Sequence, residues 1–402
     1  MPNTALFTRQ RLLAWGVSLL GCALLFTALV GSLAVALAVL VVALSLIVLG
    51  ERRCQMETVY AAMNEHRRSS LAVVILFVVL LPFLFSGNSY LLHVLVMGGI
   101  HSIVALGLNF QVGSTGMVNF ATAAFFGTGA YASALLATKF AISPWLATAA
   151  GTVAAAALGV VFGFPALKTR GYYLSLITIA MQIIFTLMII NTSWLGGPNG
   201  VPGIPAYTLG GASLRDSLAL PGFSLPYQAN YFYLVFLLLG LAMAAASRLY
   251  NSRVGLAWNA IEQDEIVAVT QGIDLTSTKL VAFALGAAFA GIAGGLYGHY
   301  TSFIGVEDFD FSKSLVFICM VLLGGMDNVV GVVLGALLLT IVDEKLRDFA
   351  DYRMLMYSVI LIVILLSRPQ GLLPKRIRGY LPAEATGGQA CMTAEERGAG
   401  TR

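Results

Sequence analysis

Polar residues are scarce enough in this chain to be taken one at a time. The stretch GLNFQVGSTGMVNFATAAFFGTGAY, from Gly107 to Tyr131, places Asn109 and Asn119 on either side of Gly113 and Gly116. A second cluster, GGMDN, holds Gly324, Gly325 and Asn328. Backbone broken at membrane depth is tolerated only where protein or a water-filled cavity surrounds it. Two such breaks, one in each half, therefore predict a translocation path at Asn109, Gly113, Gly116, Asn119, Gly324 and Gly325. Glycines also let helices pack closely, and both readings stand at this level.

Other chemistries lack their residues. No GxxxxGK[ST] phosphate loop, HExxH pair or GxSxG elbow occurs in the chain. Cys22, Cys54, Cys319 and Cys391 are far apart, which predicts neither a disulfide framework nor a metal site. All 19 acidic residues fall in expected loops, turns or tails. Ion-coupled carriers place ionisable groups along their path, and here only His93, His101 and His299 lie in or near apolar runs. We therefore expect neither an enzyme nor a cofactor, and an energy source on another subunit. An ion-coupled carrier acting alone is the alternative. With no basic stripe carrying interleaved aromatics, nucleic acid is not an expected partner.

The elements that must position these residues are helices in lipid. The 402 residues are 58% hydrophobic and 10% charged, with a mean hydropathy of +0.87. Soluble domains carry roughly 25% charged residues. At about 20 residues per span, residues 12–49 form a hairpin broken at Gly31 and Ser32, and 71–85 form a third span. A cleaved signal peptide is disfavoured by the length of the first run and the basic loop after it. Further spans are expected at 90–110, 118–138, 145–164, 172–190, 229–246, 280–300 and 355–366. Two short segments, 314–323 and 329–342, are spans or re-entrant. The chain thus reads as an all-α polytopic membrane protein with 10–12 spanning or re-entrant helices. Its parts are an N-terminal hydrophobic region (1–87), a core (88–378) and a disordered tail (379–402). Arg52, Arg53, Arg67, Arg68, Lys168, Arg170, Lys375 and Arg376 put their loops and both termini in the cytoplasm by the positive-inside rule.

One polar island, residues 248–279, interrupts the apolar pattern. At 100° per residue, Leu256, Ala257, Ala260, Ile261, Val267 and Ala268 share an arc interrupted only by Asp264. Asn259, Glu262, Gln263 and Thr270 face away. Gly272 is placed to end the helix, since glycine adopts the left-handed conformation of a C-terminal cap. We expect one amphipathic helix over 254–270 that docks on a cytoplasmic partner. Lying flat on the membrane is the competing reading, weakened by a polar face without Lys or Arg.

Five stretches in order carry a family resemblance: the Gly107–Tyr131 motif, LGGPNGVPGIP, SRVGLAWNAIEQDEIVAVTQGID, VLLGGMDNVVGVVLGALLL and SRPQGLLP. Together they resemble the membrane permease subunits of branched-chain amino acid ATP-binding-cassette importers, over residues 96–374. The resemblance implies a bacterial inner-membrane protein paired with a homologous second permease, two cytoplasmic ATPases and a periplasmic solute-binding protein. It further implies that the island is the ATPase-coupling helix, with Gly255, Leu256, Ala260, Ile261, Asp264, Val267 and Gly272 as its contact and shaping residues. The chain departs from the family in lacking basic residues at Leu256, Asn259, Glu262 and Val269. It also has Thr122 where many members have histidine, and Asn119 where serine is common. Relatives also move urea and amides, so these departures leave the solute open.

The topology is directly testable. In intact cells an impermeant thiol reagent should spare Cys54 and label a cysteine placed at Ser213. The opposite labelling would invert the orientation.

Overall fold

The computed structural model describes residues 4–32, 67–85, 87–167, 172–220, 223–347 and 371–373, with scattered positions between 35 and 45 and between 352 and 366. Much of the expected second and last spans, most of the 50–70 loop and the 379–402 tail lie outside the described residues. Helices α1 (Thr4–Val30) and α2 (Arg67–Leu84) come first. The core follows with α3 (Ser89–Val112), α4 (Thr122–Lys139), α5 (Pro144–Ala166), α6 (Tyr172–Asn191) and α7 (Tyr227–Tyr250). The island forms α8 (Arg253–Gln263) and α9 (Glu265–Thr270). It leads into α10 (Leu275–Thr301), α11 (Phe311–Gly324) and α12 (Val329–Lys345). Five of these described helices, α3, α5, α6, α7 and α10, are long and apolar enough to cross a membrane. The chain is an all-α, multi-pass membrane protein.

Helix α3 is apolar on every side and stands at the centre, buried along nearly its whole length. Around it pack α7, α10, α11 and α12. The remaining contacts run through small residues. Between the buried ends Pro144 and Ala166 of α5, the buried positions are Ala147, Gly151, Ala155, Gly159 and Gly163, one every four residues, while Val153 and Val161 face outward. This small-residue stripe lets the α5 backbone approach α10, where Gly291 and Gly295 lie beneath it. At the same place Gly129 of α4 meets the backbone of Gly291, leaving no room for a Cβ, and Gly151 of α5 lies against Gly129.

The long loop between α6 and α7 contains short hairpins. Strands β2 (Thr208–Leu209) and β3 (Ala212–Ser213) pair around Gly210 and Gly211, both at positive φ, as a two-residue hairpin turn requires. Strand β1 (Val201–Pro202) pairs with β4 (Phe303–Ile304), which ties this loop to the end of α10. His299 fastens the same corner. Its Nδ1 is 2.7 Å from the Pro205 carbonyl, and because that oxygen only accepts, Nδ1 carries the proton. Nε2 of the neutral ring then accepts from the Ser133 hydroxyl at 2.8 Å. His299 thus serves as a tie between helices and loop.

The glycine contacts set a stability test. Gly129→Val should lower the unfolding temperature of the purified protein, at a cost of about 1–3 kcal/mol typical of overpacking. Gly240→Val, with nothing within 4 Å of its added Cβ, should be near neutral. Equal shifts for both would show that α4 and α10 can part without penalty.

Candidate functional site

Helix α3 stops at Val112, and nine residues pass before α4 begins at Thr122. Gly113 and Gly116 therefore sit in a connection between two helices. This corrects the expectation that they interrupt one helix in mid-membrane. The connection is nonetheless enclosed: Asn109, Gln111, Ser114, Thr115, Asn119 and Thr122 are all buried. Backbone freed there has found acceptors. Ala121 N–H donates to Asn119 Oδ1 at 2.8 Å, Ala123 N–H to Ser314 Oγ at 2.9 Å, and Ala124 N–H to Gln182 Oε1 at 2.8 Å. Phe120 N–H donates to Thr178 Oγ1 at 3.1 Å. Side chains from α6 and α11 thus cap the start of α4. Asn119 is held in turn by its Nδ2 donating to Gln111 Oε1 at 2.6 Å.

Asn109 is the other fixed point. Its Nδ2 donates to Tyr250 Oη at 2.6 Å, and its Oδ1 accepts from Asp327 N–H at 2.9 Å. Ser114 Oγ donates to Asp327 Oδ1 at 2.8 Å. One carboxamide thus joins the end of α7, the break after α3 and the turn before α12. Gly113 and Gly116 serve this arrangement differently. At Gly113 a Cβ would run into the Asn109 carboxamide and the Asp327 amide. Gly116 has φ +66 and open space, with Glu262 of α8 as its nearest neighbour.

The second break, residues 325–328, is a turn between α11 and α12. Asn328 Oδ1 caps α12 by accepting from Val330 and Gly331 N–H. Gly324 lies against Gly331 and Gly335, and Gly325 takes φ +105. Residues 371–373 dock on this turn, Leu372 N–H donating to Leu323 O at 2.7 Å and Leu373 N–H to Gly324 O at 3.2 Å. The two breaks meet through Asp327, so the structure brings Asn109, Gly113 and the Gly324–Gly325 turn into one region, with Asn119 linked through Gln111.

The island differs from its expected form. It is two helices, because Asp264 is extended (φ −159) and caps α9 by accepting from Ile266 and Val267 N–H at 2.8 and 3.1 Å. The buried face is also shifted. Gly255, Trp258, Ile261 and Ala268 are buried, whereas Leu256 (41%), Ile266 (78%), Val267 (55%) and Val269 (53%) are exposed, and Ala260 is half-buried. Trp258, which the pattern of aliphatic residues passed over, packs its ring on Phe110 at 5.6 Å and donates Nε1–H to Thr278 O at 2.9 Å. Lys279 Nζ and Glu265 Oε1 pair at 2.6 Å. Gly272 (φ +82) ends α9 as expected: its N–H bonds Val269 O, and Ile273 N–H bonds Ala268 O. Asp274 then caps α10, and hydrogen bonds from Ser277 and Thr276 hold its carboxyl below the usual carboxylate range.

Residues 303–310, which carry Glu307, Asp308 and Asp310, fold back into the bundle. The Phe309 carbonyl accepts from Gln182 Nε2 at 2.8 Å, level with the middle of α6, and the Phe309 ring is fully buried. Gln182 and Ser314 were legible as polar residues inside apolar runs, but Tyr250 and Asp327 carried no such signal.

A family model described as "Branched-chain amino acid transport system / permease component" matches residues 90–366. The chain is 36% identical over 317 residues to the high-affinity branched-chain amino acid transport system permease protein LivM of Salmonella typhimurium, covering 76% of this chain and 74% of that protein. Over 287 residues it is 25% identical to the corresponding permease protein LivH of Escherichia coli, covering 69% of this chain and 92% of that protein. A probable LivM of Methanocaldococcus jannaschii is 25% identical over 336 residues, covering 70% and 93%. No solved structure matches.

The two glycines of the break should separate by substitution. Gly113→Ala should destabilise the protein by about 1–3 kcal/mol, since backbone and a fixed carboxamide must shift. Gly116→Ala should cost only the left-handed penalty, about 1–2 kcal/mol at most, with the Asn109 bonds intact. A thermal-unfolding series with Gly116→Ala the more damaging would reverse this assignment.

Proposed function

We propose a function from one premise: the chain belongs to the family of branched-chain amino acid transport system permease components. It is a membrane-embedded permease subunit of an ATP-binding-cassette importer, and related chains of both the LivM and LivH kinds point to a pair of unlike permeases. The transported solutes are branched-chain or closely related amino acids. Hydrolysis of ATP takes place on two cytoplasmic partner subunits, and a periplasmic binding protein delivers the solute. Both termini lie in the cytoplasm of a bacterial cell, in whose inner membrane the protein sits. The broken backbone around Asn109, Gly113, Gly116 and Asn119, with the Gly324–Gly325 turn, lies along the route. Its glycines supply the bends and its carboxamides hold them.

One observation carries the coupling role. Leu256, Ile266, Val267 and Val269 are exposed aliphatic side chains on an island that Trp258 fastens into the core. Four aliphatic side chains left in water on a short polar segment suit the groove of a partner protein. Because α8 is anchored against α3 and α10, displacement of the island would be passed directly to the membrane helices. The residues assigned to this surface are Gly255, Leu256, Ala260, Ile261, Asp264, Val267 and Gly272. Leu256 and Val267 make contact, Asp264 and Gly272 shape the helices, and Gly255 and Ile261 anchor them.

Val267→Asp should insert and pair with the second permease, yet lower solute-stimulated ATP hydrolysis of the assembled complex about tenfold or more, as truncating an interface anchor does. Undiminished stimulation by loaded binding protein would remove the island from the coupling route.

A further inference from the structure

Gln182 does more than cap α4. It is fully buried on a helix whose Leu176, Ile183, Ile184 and Leu187 are exposed. Its Oε1 accepts from Ala124 N–H at 2.8 Å and from Ser314 Oγ at 3.3 Å, while its Nε2 donates to Phe309 O at 2.8 Å. The carboxamide can be oriented only one way, because an acceptor must face the two donors and a donor the carbonyl. One side chain of α6 thus holds α4, α11 and the segment that returns into the bundle after α10.

That segment is a single helical turn, Val306–Phe309, closed from within by Gly305 N–H donating to Asp308 Oδ2 at 3.0 Å. Among the described residues its hydrogen bonds to neighbouring helices run through side chains. Gln182 donates to the Phe309 carbonyl, and the Tyr297 hydroxyl bonds Asp308. The buried Phe309 ring meets Phe126, Tyr131 and Tyr297 at 5.2, 5.6 and 5.9 Å, in space that Gly127 leaves open. Beside it Tyr131 is 4% exposed, and its hydroxyl has no hydrogen-bond partner among the described residues. A buried hydroxyl left unpaired is costly, and the cost is recovered once the ring withdraws and water or a polar solute reaches it. A plug held by side chains next to an orphaned hydroxyl has reason to adopt a second arrangement.

We propose that Gln182 is a positioning residue for transport, latching residues 306–310 so that Phe309 closes the route on the side away from the island. Release of the Phe309 carbonyl frees the segment, while the bonds to Ala124 and Ser314 keep α4 and α11 in place. The inference rests on the importer function proposed above.

Gln182→Glu tests the latch because it changes that one bond. Protonated, the new carboxyl offers the same donor and acceptor as the carboxamide; ionised, it only accepts and repels the Phe309 carbonyl. The importer, assembled in lipid nanodiscs, carries Tyr131→Cys, and labelling of that position by an impermeant thiol reagent is compared with and without Gln182→Glu. Tyr297, Asp308, Asp310 and Lys313 titrate in both proteins, so the ratio of rates at one pH cancels them. That ratio should be about one at about pH 5 and about tenfold or more at about pH 9, a range that spans ionisation of a carboxyl screened from water and the loss of one buried hydrogen bond. In vesicles loaded with leucine, Gln182→Glu alone should let solute leak without ATP at the higher pH only. A ratio of one at both pH values, an equal rise at both, a leak that ignores pH, or failure of Gln182→Glu to assemble at the lower pH would each overturn the latch. If the wild-type importer takes up no branched-chain amino acid, the importer assignment fails instead, whatever the labelling ratio.

Discussion

Every backbone N–H in a buried connection between helices must find an acceptor within the protein, because its surroundings offer no water. The connection between α3 and α4 releases several such groups, and the rest of the core is arranged around meeting them. Asn119, Ser314, Gln182 and Thr178 each accept from one, so α6 and α11 are held where the break needs them. Asn109 adds a second demand, since its carboxamide must reach both Tyr250 and the Asp327 amide. The close approach that permits this is available only to glycine at position 113. In this way one irregular stretch of nine residues positions four helices and the turn before a fifth.

The same stretch links the membrane core to the island. Tyr250, bonded to Asn109, is the last residue of α7, and α8 begins three residues later. Phe110, one residue after Asn109, stacks on Trp258 from α8. The island's first helix is therefore a continuation of the core's packing, whereas α9 has one buried residue, Ala268, and is held by the Asp264 cap and the Glu265–Lys279 pair. A rigid helix followed by a lightly held one suits a surface that must both transmit displacement and adapt to what binds it.

Much of this was legible in residue order. Apolar run lengths placed α3, α5, α6, α7 and α10 within a few residues, and the glycine clusters marked both places where the backbone departs from helix. What the pattern could not supply was which face of the island would be buried. Averaging over one continuous helix gave weight to Leu256 and Val267, but Asp264 prefers to cap rather than to continue, and its break resets the angular phase. Trp258 then dominates α8, because one buried indole outweighs several small aliphatics. Depth was also hidden. The segment carrying Asp308 and Asp310 looks like a surface loop by charge, and only the pairing of the Phe309 carbonyl with Gln182 draws it inside.

The island is fastened to the membrane core at α8 and left open at α9. Amide hydrogen exchange on the protein in lipid nanodiscs tests this most directly, first alone and then with the proposed ATPase subunits bound. The amides of Arg253–Gln263 should exchange as slowly as those of α10 in both states, while those of Glu265–Thr270 should exchange quickly alone and become protected in the complex. Rapid exchange across α8 in the isolated protein, at the rate of α9, would contradict it and make the island a tether.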